Sequence, residues 1–248
     1  LGYTELWMGE HFTATTEPYA SPLMFLSNLL SQTKNLNFGT GVINLPNHHP
    51  AVVAGEVAQF DHMSGGNFHF GIGPGGLASD FELFDNSDGD VRTAKLIESI
   101  DFIKQIWSQD PPYDLDGKFW SVKVKDAIMP DLGIGYMSKP YQKPHPPISL
   151  SIASPHSSSC RLAAERDWGI ISANISPTYS VASHWDIYCE ASESAGRRAV
   201  GDDWRVARNL LVAPSDLEAE DRMSHKSSSN DYYFTYMHGV FASLGILI

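Results

Sequence analysis

Cysteine is scarce in this chain, which has only Cys160 and Cys189 among 248 residues. Two cysteines without metal or redox spacing predict neither a disulfide framework nor a cysteine-rich metal site, and they favour a reducing, cytoplasmic compartment over secretion. Long apolar runs are also missing. No run approaches the roughly 18 residues that span a bilayer, and no signal peptide is visible. The sequence therefore predicts a cytoplasmic protein without a membrane partner.

Positive charge is the second scarce property. The chain has 17 Lys and Arg residues against 29 Asp and Glu residues, which gives a formal net charge of -12. Neither Lys nor Arg forms a run, so the composition argues against nucleic acid or an anionic membrane surface as the main partner. Small molecules remain as the expected ligands.

Apolar and aromatic residues are plentiful. Hydrophobic residues make up 42% of the chain, and 6 of them are Trp, which is enough to bury one large core. We expect one domain over residues 1–248, a size common among α/β barrels. The first residues, Leu1 to Trp7, read like the interior of a protein, so we expect an amino-terminal strand and helix, and some loops, to be missing.

The stretch from Phe38 to Gly76 predicts a strand, a helix and a second strand. Phe38–Leu45 is an apolar run typical of a buried strand. Helical spacing of apolar residues begins at Pro50 and ends at Gly66, and Phe68–Gly73 follows as a strand. A crossover this short predicts parallel neighbouring strands covered by the helix between them.

The rest of the chain repeats this alternation. Strands are predicted at 3–8, 146–152, 168–172 and 204–212, and helices at 21–33, from Thr93, at 157–166 and at 179–195. Residues 77–90 are predicted to be an irregular acidic loop, and 111–141 to be an inserted hairpin with a long connection. After Pro214 the pattern weakens towards an apolar end at 232–248. About six strands favour an incomplete (β/α)8 TIM barrel with an insertion over an open doubly wound sheet.

In a barrel, functional residues stand at the carboxyl ends of the strands. Polar or glycine-rich groups follow four predicted strands, at Glu10–Phe12, Asn44–His49, Gly73–Gly76 and Ser154–Ser159. The glycines of the third group, Gly73–Gly76, would let a planar ligand approach the backbone. Because Ser157 to Ser159 stand where a helix begins, their hydroxyls and N–H groups could hold a phosphate.

Each of these groups also has a purely structural interpretation. Glu10 and His11 could form a surface pair, and His48 or His49 could cap the helix that opens at Pro50. Ser157 could begin a helix and nothing more. Phe68 and Phe70 point the same way and are predicted to be core residues.

Two other site classes are weighed on the same residues. Gly71–Gly76 satisfies G-x-G-x-x-G, the dinucleotide fingerprint, but Pro74 lies inside the turn, a loop is predicted after it, and no acidic residue ends a strand about twenty residues later. A metal hydrolase is the other class, with several His, Asp and Glu residues as potential ligands. Their spacing matches no recognisable ligand set, so we predict no metal.

Five ordered blocks of sequence carry a family resemblance: Trp7–Phe12, Thr33–Gly41, Leu45–Pro50, Phe60–Gly66 and Phe70–Gly75. Together they resemble the bacterial luciferase-like flavin-dependent monooxygenases, and within that group the limonene monooxygenase type. The resemblance implies a metal-free TIM barrel that uses reduced FMN to activate O2. It also implies an NAD(P)H-dependent flavin reductase as a separate partner, and a homodimer.

The resemblance assigns roles to individual residues. His11 matches the active-site His, and Thr40 to Asn44 match the flavin-contacting strand with its non-proline cis peptide. Arg92 matches an Arg expected in a structural ion pair. The chain departs from luciferase at Phe12 and Pro74, which puts light emission and one phosphate contact in doubt. The expected cofactor-binding residues are Thr40, Val42, Asn44, His48, Gly73, Gly75, Ser154, His156, Ser157, Ser158 and Ser159.

The implied chemistry passes through a flavin C4a-peroxide, which needs a dry pocket and a controlled proton supply. We expect His11, with a pKa near its ordinary value of about 6.5, to supply the proton. Residues 77–90 could form a lid, and the aromatic insertion suggests a small apolar organic substrate. The alternatives are a deazaflavin-dependent oxidoreductase of the same fold, a non-catalytic flavin-binding protein and the metal hydrolase.

Overall fold

Parallel strands form the main sheet of this protein, whose computed structural model describes residues 2–243. Leu1 and residues 244–248, where the predicted apolar end finishes, lie outside the described residues. The strands are β1 (Glu5–Met8), β2 (Asn37–Thr40), β3 (Ile43–Asn44), β4 (Phe68–Gly73), β5 (Tyr113–Asp116), β6 (Ser121–Val124), β7 (Ile148–Ile152), β8 (Gly169–Ser172) and β9 (Trp204–Val206). The α-helices are α1 (Pro22–Leu29), α2 (Pro50–Met63), α3 (Ala78–Leu83), α4 (Gly89–Ser108), α5 (Ser158–Glu165), α6 (Thr178–Ser194), α7 (Asp216–Ser224) and α8 (Ser229–Ser243).

The sheet is ordered β1-β2-β4-β7-β8-β9, with β3 paired to β4, and every pair in it is parallel. Arg205 on β9 donates a hydrogen bond to Glu5 on β1 at 2.9 Å, which shows that the two edges of the sheet lie close together. The sheet is therefore curled into a partial barrel. The predicted fold class, an incomplete TIM barrel, is confirmed, and so is the inserted hairpin, which is formed by antiparallel β5 and β6.

The hydrophobic core lies between the convex face of the sheet and the helices. Phe38, Phe60 and Phe68 pack edge to face between β2, α2 and β4, and all three are buried. Phe70 packs on Trp107 of α4, which confirms the prediction that Phe68 and Phe70 are core residues. This packing fixes the strands, and hence their carboxyl ends, relative to one another.

The concave face of the sheet is crowded at its glycines. A Cβ on Gly39 would lie 2.3 Å from the Trp7 ring, and one on Gly71 would lie 1.7 Å from the Thr40 carbonyl oxygen. Only glycine fits at Gly71, because the atom it would meet is backbone, whereas a side chain at Gly39 would require the Trp7 ring to move. The absence of these two side chains lets β1, β2 and β4 approach closely.

Two predicted strands and one predicted loop differ from the structure. The strand predicted at 38–45 is two strands, β2 and β3, and the strand predicted at 204–212 ends at Val206. Residues 77–90 are not an irregular loop, since they contain α3 and the first two residues of α4. The weak pattern after Pro214 folds as α7 and α8. Because a short helix follows Gly71–Gly76, one argument used against the dinucleotide site does not hold, although the barrel architecture still excludes a Rossmann sheet.

None of the helices within residues 2–243 is both long enough and apolar enough to cross a bilayer.

Candidate active site

The four predicted groups lie at one rim of the partial barrel. They follow or end β1, β3, β4 and β7, and parallel strands bring their carboxyl ends to the same edge. A direct contact confirms the closeness of the first two groups: the Asn44 side chain donates to the Glu10 carbonyl oxygen at 3.2 Å. His11 and Asn44 are therefore on the same side of the molecule.

His11 is held between two carboxylates. Its Nε2 lies 3.1 Å from Glu17 Oε2, and its Nδ1 lies 3.4 Å from Asp80 Oδ2. Glu17 and then Asp80 raise the pKa of His11 above its ordinary value, against the opposing effect of burial. The expectation of an ordinary pKa was therefore wrong, and the imidazolium form persists to higher pH.

Asp80 is the residue of this site that the sequence did not reveal. It is 2% exposed and lies on α3. Its carboxylate accepts hydrogen bonds from the backbone N–H of Phe12 at 3.3 Å and of Thr13 at 3.0 Å, and from the Thr13 hydroxyl at 2.5 Å. A single buried carboxylate thus shapes the loop after β1 and faces His11.

The segment that carries Asp80 is attached to its surroundings by Asn86 and Arg92. The Asn86 side chain donates to the Pro46 carbonyl oxygen at 3.0 Å. Arg92 donates to the carbonyl oxygens of Asn86 and Ser87 and lies over the Phe81 ring at 3.6 Å. Arg92 is structural, as expected, but it acts through carbonyl groups and an aromatic face, since no ion pair involves it within residues 2–243.

Glu10 lies beneath the rim, where it is 3% exposed. Its carboxylate accepts from the Asn44 backbone N–H at 3.3 Å and from His48 Nε2 at 2.8 Å. The interpretation of Glu10 and His11 as a surface pair was wrong. Of the two histidines expected to cap α2, His49 is the one that does so, because its Nδ1 accepts the Ala51 N–H at the start of the helix.

The Thr40–Asn44 segment contains a cis peptide bond between Gly41 and Val42, within the range that the family resemblance indicated. Gly41 is exposed and Val42 is half-buried at the rim. Thr40 is fully buried, and its hydroxyl donates to the Gly71 carbonyl oxygen at 2.7 Å. In this conformation Thr40 has no exposed atom for a ligand, and Asn44, at 5% exposure, serves mainly to hold Glu10.

The glycines after β4 differ in accessibility. Gly73 is buried, and a Cβ there would lie 2.5 Å from Ser151 Oγ and 2.7 Å from Val42 Cγ2. Gly75 has φ 91° and is half-buried, with the Asn44 amide 3.8 Å from its Cβ position. The glycines bring β3, β4 and β7 together at the rim, and Gly75 presents its backbone there.

The turn after β7 offers the exposed polar groups of the site. Ser154, His156 and Ser158 are exposed, and Ser157 and Ser159 are half-buried. The Ser157 hydroxyl caps α5 by accepting the Ser159 N–H at 3.2 Å. The plain helix start is thus confirmed for Ser157, and it leaves the first turn of α5 facing the rim.

A metal centre has no ligand set in the part of the chain that the structure describes. Across residues 2–243, no three His, Cys, Asp or Glu side chains are grouped so that they could hold a metal ion. Within that range, therefore, no cluster of ligand side chains supports the metal-hydrolase alternative.

Comparison with known proteins identifies the family. A family model described as luciferase-like monooxygenase matches residues 1–242. The chain belongs to this family. Luciferase-like monooxygenases among its relatives include 4-hydroxyprotoasukamycin monooxygenase of Streptomyces nodosus subsp. asukaensis, 30% identical over 98% of this chain and 62% of that protein. Limonene 1,2-monooxygenase of Rhodococcus erythropolis is 29% identical over 91% and 55%. The predicted resemblance is confirmed.

A third relative is the oxygenase component of flavin-dependent trigonelline monooxygenase of Acinetobacter baylyi (strain ATCC 33305 / BD413 / ADP1), 31% identical over 94% of this chain and 61% of that protein. The chain thus spans 55% to 62% of the length of these relatives.

Solved structures agree on the fold. The oxygenating constituent of 3,6-diketocamphane monooxygenase of Pseudomonas putida, in complex with FMN, has a TM-score of 0.84 at 23% identity, covering 98% of this chain and 68% of its own. An F420-dependent secondary alcohol dehydrogenase has a TM-score of 0.69 at 17% identity, covering 90% and 65%.

Proposed function

We propose that this luciferase-like chain is the oxygenase of a two-component, FMN-dependent monooxygenase that inserts an oxygen atom from O2 into a small apolar organic molecule. The observation that carries the proposal is His11, which two carboxylates hold at the same rim as the exposed Gly41. The monooxygenase names of the relatives support the reaction class. The FMN complex of the structural neighbour supports the cofactor.

The rim has the features that FMN requires. Backbone at Gly41, Val42 and Gly75 can lie against a planar ring, because no side chain stands out from the two glycines. Ser157, Ser158 and Ser159 at the start of α5 would hold the phosphate, with the aligned N–H groups favouring its negative charge. We therefore place the ring near β3 and β4 and the phosphate near β7.

Reduced FMN, when bound, would supply the electrons that activate O2. Glu17 and Asp80 both stabilise the charged form of His11, so its imidazole would keep a proton to higher pH than an ordinary histidine. A proton held at this point can be donated to an oxygen atom that becomes basic during the reaction. Val42 and Phe12 would help to keep water out, and α3 would act as a cover over the same opening.

His11 can be tested by matched substitutions at two histidines of the rim. We expect His11→Asn to lower the rate of oxygenated product formation by about 10²–10⁴-fold, the usual contribution of a positioned acid or base. His49→Asn is the control, because Asn also caps helices and His49 points to α2. The measurement is product yield and O2 consumption with reduced FMN supplied by a flavin reductase. Equal activity in the two variants would remove His11 from the mechanism.

The second candidate is a deazaflavin-dependent oxidoreductase, which the F420-dependent structural neighbour favours. Such an enzyme transfers hydride without oxygen. Turnover of reduced F420 or of an alcohol under anaerobic conditions would establish it, and strict dependence on O2 and reduced FMN would exclude it. Tight binding of FMN without turnover of either kind would indicate a flavin-binding protein. The separate reductase, the homodimer and a cytoplasmic location remain part of the same proposal.

A further inference from the structure

We infer that Ser183 and His184 of α6 are positioning residues that hold the Ser154–His156 turn in the shape that receives the FMN phosphate. This inference deepens the proposed function and rests on it. Neither residue was among the site residues expected from the sequence, and neither stands on a strand end.

Both side chains are buried and contact the turn directly. His184, which is 0% exposed, donates from Nε2 to the Ser154 carbonyl oxygen at 2.9 Å. Ser183, which is 6% exposed, accepts the His156 backbone N–H at 3.0 Å and donates to the Ser180 carbonyl oxygen at 2.6 Å. The turn is thus tied to α6 at two points. Pro155, which lies between Ser154 and His156, has no backbone N–H and so donates no hydrogen bond of its own within the turn.

The protonation state of His184 follows from its partners. A carbonyl oxygen only accepts, so Nε2 must carry the hydrogen that bonds Ser154. Ser172 Oγ lies 2.9 Å from Nδ1 and accepts the Trp204 indole N–H, also at 2.9 Å. The Ser172 hydroxyl can then donate its hydrogen to Nδ1. This completes a chain of hydrogen bonds from Trp204 on β9, through Ser172 and His184, to the turn.

Burial and two nearby positively charged groups favour the neutral form of His184. Burial is the largest cause that lowers the pKa of His184, and Arg208 and His156 act in the same direction, against the bond to Ser154. A neutral imidazole can both accept at Nδ1 and donate at Nε2. The network therefore holds together at neutral pH without placing a charge under the turn.

The consequence concerns the exposed end of the turn. His156 has φ 51°, and Ser157, the next residue, caps α5. Fixing the Ser154 carbonyl and the His156 N–H therefore fixes the direction in which α5 starts. We expect loss of either contact to loosen the phosphate end of the site while leaving the ring end, at β3 and β4, unchanged.

The test compares two flavins that differ only in the phosphate. Reduced FMN and reduced riboflavin are titrated anaerobically into wild type, Ser183→Ala, His184→Leu and His184→Gln. We expect Ser183→Ala and His184→Leu to weaken FMN binding roughly 5- to 50-fold and to leave riboflavin binding unchanged. His184→Gln, whose amide can still donate to Ser154, should recover part of the loss.

Ser192→Ala is the matched control, because Ser192 is a buried serine of the same helix, about 13 Å further along its axis. It should keep the wild-type preference for FMN. Circular dichroism and melting temperature check the fold, and if His184→Leu unfolds, Ser183→Ala decides alone.

Two outcomes would overturn the inference in different ways. If wild type prefers FMN and both variants keep that preference, Ser183 and His184 do not position the phosphate site, and the proposed function stands. If wild type binds neither flavin, the proposed function itself fails, and the inference fails with it.

Discussion

At the scale of single residues, the site depends on the hydrogen-bond partners of three buried side chains, two carboxylates and one imidazole. Asp80 accepts from the loop after β1, Glu10 accepts from Asn44 and His48, and His184 bridges Ser172 and Ser154. Buried polar groups without partners are costly, so each of these residues has a defined geometry. The rim is therefore preorganised below its surface.

The pKa of His11 gives a test at this scale. We expect Glu17→Gln and Asp80→Asn each to lower it, with the larger change for Glu17→Gln, because Glu17 is the main cause of the raised pKa. Stability gained from His11 is present below its ordinary pKa of about 6.5 and is lost as pH rises through the folded value. Asp85→Asn, an exposed change in the same segment, is the control. NMR titration of the His11 ring would measure all three, and an unchanged His11 titration in the first two variants would contradict the assignment.

At the scale of elements, the sequence predicted the strand and helix alternation well because apolar spacing is local. It failed at α3 because residues 77–90 are acidic and contain Gly89, which is typical of loops. Leu77, Phe81 and Phe84 do recur at helical spacing, and this signal could have found the helix. The contact of Asp80 with His11 could not be found, because it joins residues 69 positions apart.

The close approach of β2 and β4 can be tested with paired glycine substitutions. Gly71→Ala should destabilise the protein by about 3 kcal/mol, because its Cβ would meet the Thr40 backbone. Gly55→Ala in α2 should stabilise it by about 0.5–1 kcal/mol, because the Cβ there meets no atom within 4 Å and Ala favours helix. Denaturant unfolding measures both changes. A tolerated Gly71→Ala would show that the two strands are not packed as described.

At the scale of the whole molecule, the sequence predicted a partial barrel but not how its edges meet. Glu5 and Arg205 are separated by 200 positions, and they join β1 to β9. The Arg205 hydrogen bond is the largest cause that lowers the pKa of Glu5. No local pattern indicates such a pair, because its geometry arises only when the sheet curls.

The Glu5–Arg205 pair should make part of the stability depend on acid. Since the folded pKa of Glu5 is lowered, its contribution is present above the ordinary value of 4.5 and is lost as pH falls through the folded value. We expect Arg205→Gln to cost about 1 kcal/mol at pH 7 and less at pH 3. Arg222→Gln, from the exposed pair with Glu218, should cost little at either pH. Unfolding free energies at the two pH values measure the difference, and equal losses for Arg205→Gln would exclude the pair as the cause.

The position of Asp80 has a thermodynamic consequence. Because Asp80 joins α3 to the loop after β1 and also faces His11, moving α3 away would remove one of the two carboxylates that favour the charged imidazole. Proton uptake by His11 and docking of α3 therefore assist each other by the same free energy. Lowering the pH through the range in which His11 takes up its proton should stabilise α3 in its docked position, and docked α3 should in turn favour the charged imidazole.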